Sequence, residues 1–254
     1  MIKKSNVLKI LTILPILFFR KSNLLIYSNK STMPIAELFL QNMFSGNPSR
    51  TNTNIVIVMF GLVEVIVFNL LFGTHIYRDL YENSIYIFVR QKSRWKWFLN
   101  RSAQLFLYSA VYHGIFVFLT FLLCMNFSNL SLDAVAIRVL LTTYTLIQLF
   151  AFWTTLVINL LAIRLGSTAS FIVNYVVLLV LSMAALKHEK IPVIQNMPFI
   201  LALNPVANVT INWNDGIGKG LFPALYFIIL IIITVILGGI MILKTDISLE
   251  NKEQ

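Results

Sequence analysis

Charge is what this sequence has least of. Only 12% of its 254 residues are Asp, Glu, Lys or Arg, about half the share found in soluble domains. At the same time 58% are hydrophobic and the mean hydropathy is +0.81. This balance excludes a water-soluble globule. It also excludes a disordered chain, which needs low hydrophobicity and high charge. An all-α polytopic membrane protein is the class that remains. Cysteine is equally scarce. Cys124 is the one thiol, set in an apolar run, so neither an internal disulfide nor a thiolate metal cluster is available.

Several catalytic signatures are missing too. No GxxxxGK[ST] loop is present to cradle a nucleotide, and there is no HExxH zinc motif and no GxSxG elbow. The adjacent Glu-Glu pair of CAAX-type intramembrane proteases is also absent. The chain is therefore expected to be no enzyme and to bind no cofactor or metal of its own.

What is present is a series of apolar runs. A membrane-crossing helix needs about 20 mostly apolar residues. Spans are expected near 55–77, 103–125, 134–163, 168–186 and 221–243. The 134–163 run is long enough that it must tilt, kink or extend beyond the lipid. A sixth, poorer span is read at 2–27: its apolar run 7–19 is interrupted by Lys9 and followed by Arg20 and Lys21, with a short apolar remnant at 24–27. Lys9 is expected to snorkel toward the cytoplasm and Arg20 and Lys21 toward the outside; the competing reading is an amphipathic interfacial helix. The segment 28–53 contains apolar 35–44, and the segment 187–220 is rich in Pro and Gly; both are placed outside. All 254 residues form one transmembrane domain.

Basic residues set the orientation. With both termini cytoplasmic, inner segments hold 12 Lys and Arg in 49 positions, against 7 in 79 outside. Six of the twenty lie in 78–102. On a helix, Arg78, Asp79, Glu82, Asn83 and Arg90 fall mainly on one side, and Leu80, Tyr81, Ile85, Ile87 and Phe88 on the other. Arg90, Lys92, Arg94 and Lys96 are then interleaved with Trp95 and Trp97, which suit the headgroup layer as interfacial anchors. The same alternation can mimic a nucleic-acid patch, but its place between two spans assigns it to membrane lipid or a membrane partner.

Asp79, Glu82, Arg90, Ser93-Arg94, Trp97 and Arg101 together resemble the coupling segment of type-2 ABC exporter permeases. The likeness is greatest to the small permeases of bacteriocin and lantibiotic export or immunity systems. Where that family often carries Gly-Thr after the acidic pair, Asn83-Ser84 stand here. The resemblance implies six spans with both termini inside and an amphipathic cytoplasmic coupling helix between spans two and three. It also implies a re-entrant or helical external segment before the last span, a place that Asn204-Pro205 fit. Asp79, Glu82, Ile85, Phe88, Arg90 and Arg94 would then touch a separate ABC ATPase subunit, which would use the ATP. The pore would pair with a second copy or a paralogue, in a bacterial cytoplasmic membrane. The implied substrate is an amphipathic or antimicrobial peptide.

Other readings rest on polar residues inside the spans. An ionisable group at that depth is a functional candidate by default. Glu64 and His113 are the two such candidates, and they suggest a proton-coupled carrier as an alternative. A non-transporting immunity or scaffold protein is a third reading. For Glu64 the expected partners are His113, Arg138 or a neighbouring subunit. Asn69, Gln148, Asn159 and Asn174 are candidates for hydrogen bonds between helices, Gly238-Gly239 for close helix approach, and Asp133 with Arg138 for a structural ion pair.

Overall fold

The computed structural model describes residues 9, 11–27, 34–44, 55–81, 93–127, 133–187, 202–210 and 221–244. Among these residues the chain is helical with short turns and contains no strand. The elements are α1 (Ile13–Tyr27), α2 (Ile35–Phe44), α3 (Ile55–Gly61), α4 (Val63–Phe72), α5 (Arg94–Phe127), α6 (Ala134–Leu165), α7 (Ser167–Lys187), α8 (Pro205–Val209) and α9 (Leu221–Lys244). Residues 75–81 are helical as well. Among the described residues four helices are long and apolar enough to cross a membrane: α5, α6, α7 and α9. The class is thus that of a helical membrane protein.

α6 is the hub. Burial covers 83% of its most apolar stretch, against 44% for α5, 28% for α7 and 22% for α9. It packs against α2, α4, α5, α7, α8 and α9. Its 32 residues make a rod of about 48 Å, longer than the roughly 30 Å hydrocarbon core. Both ends are well defined. Asp133 Oδ1 accepts from Ala136 N at 2.8 Å, capping the first turn. Asp133 therefore serves as an N-cap, and no ion pair with Arg138 forms. At the other end Gly166 has φ 80°, a conformation suited to glycine, and its N–H donates to Ala162 O. One residue thus turns the chain from α6 into α7.

Two expected spans differ in the structure. The third helix begins at Arg94 rather than 103, so residues 94–102 continue the helix instead of forming a loop. This places Trp97 on the inward face, where it is 2% exposed. Trp97 is consequently a core residue and not an interfacial anchor. Trp95 is half-buried, and its ring lies against the last helix: a Cβ on Gly239 would fall 1.3 Å from that ring. Gly238 leaves similar room for Leu160 and Phe98. The second expected span is not continuous. It breaks at Leu62 and again at Gly73-Thr74, giving α3, α4 and the turn of helix at 75–81. In the segment read as 2–27, α1 ends at Tyr27 as expected, and residues 2–8 lie outside the described residues.

Of the two segments expected outside, the described parts, 34–44 and 202–210, pack into the bundle. α2 is too short to cross a bilayer, at about 15 Å, yet Ile35, Leu38, Phe39, Met43 and Phe44 are buried. Phe39 meets Phe121 edge-on at 5.4 Å. α8 is buried throughout. Asn204 caps it by accepting from Val206 N at 2.9 Å, and donates to Leu181 O of α7 at 2.7 Å. Tyr226 of α9 donates to Leu203 O at 2.6 Å.

The Trp95–Gly239 contact yields a direct test. Gly239→Val forces a branched side chain into the indole and should destabilise the protein by about 1–3 kcal/mol. Adding Trp95→Ala should restore part of that loss in thermal unfolding in detergent. Strictly additive losses would show that the two residues do not meet.

Candidate functional sites

A helix broken inside a membrane exposes carbonyls at one half-helix end and N–H groups at the next, and something must satisfy them. The break at Leu62 is answered by a charge pair. Arg20, from α1, is fully buried. Its Nη1 donates to Asn42 O of α2. Its Nη2 donates to Phe60 O at 3.3 Å and Gly61 O at 3.5 Å, the carbonyl end of α3. The same Nη2 donates to Glu64 Oε2 at 3.1 Å, with both side chains fully buried. Glu64 lies in the first turn of α4. The cation therefore meets the negative end of one half-helix and the anion sits at the positive end of the next, the arrangement that helix dipoles favour.

Glu64's partner is thus Arg20, and not His113, Arg138 or another subunit. Arg20 in turn does not snorkel outward, because Asn42, Phe60, Gly61 and Glu64 supply the polar surroundings that water would otherwise give. One carboxylate oxygen, Glu64 Oε1, is buried without a hydrogen-bond partner, as is Asn42 Oδ1. Asn42 Nδ2 faces Cys124 Sγ at 3.8 Å.

The second break is answered in the same way. Lys9 Nζ donates to Leu71 O at 2.9 Å and stands 4.3 Å over the Phe72 ring. From α6, Asn159 completes the repair. Its Oδ1 accepts from Ile76 N at 2.7 Å and Tyr77 N at 3.3 Å, and its Nδ2 donates to Phe72 O at 3.2 Å. One turn away Asn69 Oδ1 accepts from Thr155 Oγ1 at 2.6 Å and Thr154 Oγ1 at 3.3 Å. Two of the four amide candidates, Asn69 and Asn159, thus join helices. Gln148 Nε2 and Asn174 Nδ2 are buried without a partner.

His113 is fully buried in α5. Its Nδ1 lies 2.9 Å from Ser109 O and 3.3 Å from Ser109 Oγ. Ser109 Oγ donates onward to Gln148 O at 3.3 Å. Phe68, one turn from Glu64, meets the imidazole edge-on at 4.9 Å, while Nε2 has no hydrogen-bond partner. His113 and Glu64 share no hydrogen bond.

At the opposite end of the second span the expected coupling segment begins. Arg78 is exposed and Leu80 buried, which keeps the amphipathic sidedness as far as Tyr81. Asp79 Oδ2 lies 2.6 Å from Arg101 Nε, with the side chains 19% and 29% exposed. Arg94 opens α5, where Ser93 Oγ accepts from Lys96 N at 3.3 Å. Glu82, Ile85, Phe88 and Arg90 lie outside the described residues. Among the described residues no group of His, Cys, Asp and Glu is placed to hold a metal ion.

Comparisons with protein families, curated proteins and solved structures find no match for this chain. What defines it is therefore its own geometry: a helical membrane protein in which the helical stretch 55–81 is broken twice and the breaks are met by Arg20 and Lys9.

Sequence reasoning missed Arg20. The signal that could have found it is complementary scarcity: a lone Glu in an apolar span requires a cation, and Arg20 ends the most polar of the apolar runs. Removing that cation should leave a buried, unpaired carboxylate. Arg20→Met is expected to cost about 3–5 kcal/mol, and the double variant Arg20→Met with Glu64→Met less than the sum of the two single changes. A double-mutant cycle by thermal unfolding in detergent measures this, and purely additive losses would show that the pair does not act as a unit.

Proposed function

We propose that this chain is the membrane-spanning permease subunit of an ATP-driven exporter, working with a separate ABC ATPase and a second permease copy or paralogue in a bacterial cytoplasmic membrane. The observation that carries the reading is the Asp79–Arg101 ion pair at 2.6 Å. Asp79 opens the motif that resembles a coupling helix, and Arg101 closes it, inside the long helix α5. A push delivered to the motif by an ATPase therefore reaches both the second span and α5 through one charged contact. The twice-broken second span supplies parts that can move against each other, while α6 remains the fixed hub.

In this reading the chain has six membrane-associated segments, α1 being the first and α3–α4 together the second, with both termini cytoplasmic. The buried α2 and α8 close the outer side. Amphipathic or antimicrobial peptides are the proposed substrates, on the strength of the resemblance. The proton-coupled alternative gains no support from the geometry, since Arg20 holds Glu64 and His113 is engaged with Ser109.

Two experiments test the proposal. The tagged full-length chain, purified from its native membrane, should bring down a subunit carrying a Walker A motif. Glu82→Lys should lower that yield about tenfold, equivalent to about 1.4 kcal/mol, with membrane insertion unchanged. A chain that purifies alone and moves substrate on a proton gradient without ATP overturns the proposal. Orientation is checked separately. In a Cys124→Ser background, Lys96→Cys should react with an impermeant maleimide only after the cells are opened, and Ala134→Cys should react in intact cells. The reverse pattern would invert the topology.

A further inference from the structure

An apolar cavity of about 160 Å³ lies beside the Leu62 break, between α3–α4, α6 and α7. Met59, Leu62 and Ile66 line it from the α3–α4 side, Phe150 from α6, and Tyr175 and Leu179 from α7. Phe150 is fully buried, whereas Leu179 is 41% exposed, so the cavity is closed within the bundle and open at the α7 surface. That surface is apolar: Val176 and Val180 beside the mouth are 56% and 57% exposed. The one polar group among the lining side chains is already engaged, since Tyr175 Oη donates to Ile66 O at 3.3 Å. Water entering the cavity would find at most the Tyr175 hydroxyl, short of the two to four partners it needs.

We infer that this cavity binds the terminal part of a membrane-lipid acyl chain. The occupant follows from position and size. α7 is one of the helices long and apolar enough to cross a membrane, so its exposed face is bathed in hydrocarbon. Tyr175 and Leu179 lie near the middle of its 21 residues, at about 15 Å from either end. That depth is the centre of the bilayer, where chain ends and not headgroups are found. The volume matches apolar cavities of about 150 Å³ that admit benzene, and so accommodates a stretch of about six carbons. The cavity also borders the Leu62 break, so an inserted chain fills the hollow beside the junction of α3 and α4 and steadies it. The inference depends on the membrane class of the protein and not on the exporter proposal.

The test places the full-length protein in nanodiscs containing phospholipid with a photoreactive diazirine near the end of one acyl chain. Adducts are mapped by mass spectrometry. They should concentrate on Met59, Tyr175 and Leu179, well above Val180 on the same helix face. A diazirine placed close to the headgroup should label these residues poorly. Leu179→Trp should close the mouth and abolish the cavity adducts while leaving those on Val180. Leu179→Ala, which widens the mouth, should raise them, so the result does not hang on one variant folding. Even labelling along the α7 face, insensitive to both substitutions, would mean ordinary annular lipid and overturn the inference. So would a disulfide between two copies formed efficiently by Leu179→Cys in a Cys124→Ser background, because the mouth would then face protein.

Discussion

A membrane helix cannot be interrupted without supplying partners for the backbone groups it releases, and the Arg20–Glu64 pair meets that constraint here. Burying either charge alone would be costly. Burying both at a helix break changes the balance. Arg20 hydrogen-bonds the carbonyl end of α3 and Glu64 occupies the amino end of α4, so each charge is stabilised by a half-helix dipole as well as by its partner. Arg20 also reaches Asn42 O. One side chain thus joins α1, α2, α3 and α4, and the short α2 is held inside the bundle although its length forbids it to span.

The second break repeats the logic with different chemistry. Lys9 takes the carbonyl of Leu71, and Asn159 takes the carbonyl of Phe72 and the N–H groups of Ile76 and Tyr77. An amide suits this place because it donates and accepts at once. It projects from α6, the most buried of the four long helices, so the turn at Gly73-Thr74 is anchored to the hub of the bundle. The far end of the same helical stretch is tied to α5 by Asp79 and Arg101. The stretch 55–81 is therefore several short helices, each held by a named polar contact, within a frame of longer uninterrupted ones.

Much of the frame was legible in the sequence. The runs at 134–163, 168–186 and 221–243 correspond closely to α6, α7 and α9, since a long apolar run without breakers can satisfy its backbone only as a helix. Asp133 before α6 is an ordinary helix start signal and Gly166 after it an ordinary stop signal. The start of α5 was less visible. Residues 94–102 carry charges and two Trp, which suggested a headgroup loop; as a helix they place Trp97 and Phe98 inward and Lys96 outward. The same residues are compatible with both arrangements, and packing against Gly238 and Gly239 of α9 selects the helix.

The candidate sites divide along the same line. Sequence alone determined that the protein is helical and membrane-embedded, that Glu64 and His113 are out of place in hydrocarbon, and that Asn69 and Asn159 suit contacts between helices. Those conclusions need only composition and the cost of placing polar groups in lipid. Tertiary structure decided which groups meet. That Glu64 takes Arg20, 44 positions earlier in the chain, and that a span with no proline breaks at Leu62, depend on where α1 and α2 come to rest. Pairing is a property of distance in space, and neither hydropathy nor helical periodicity carries that information across two turns of the chain.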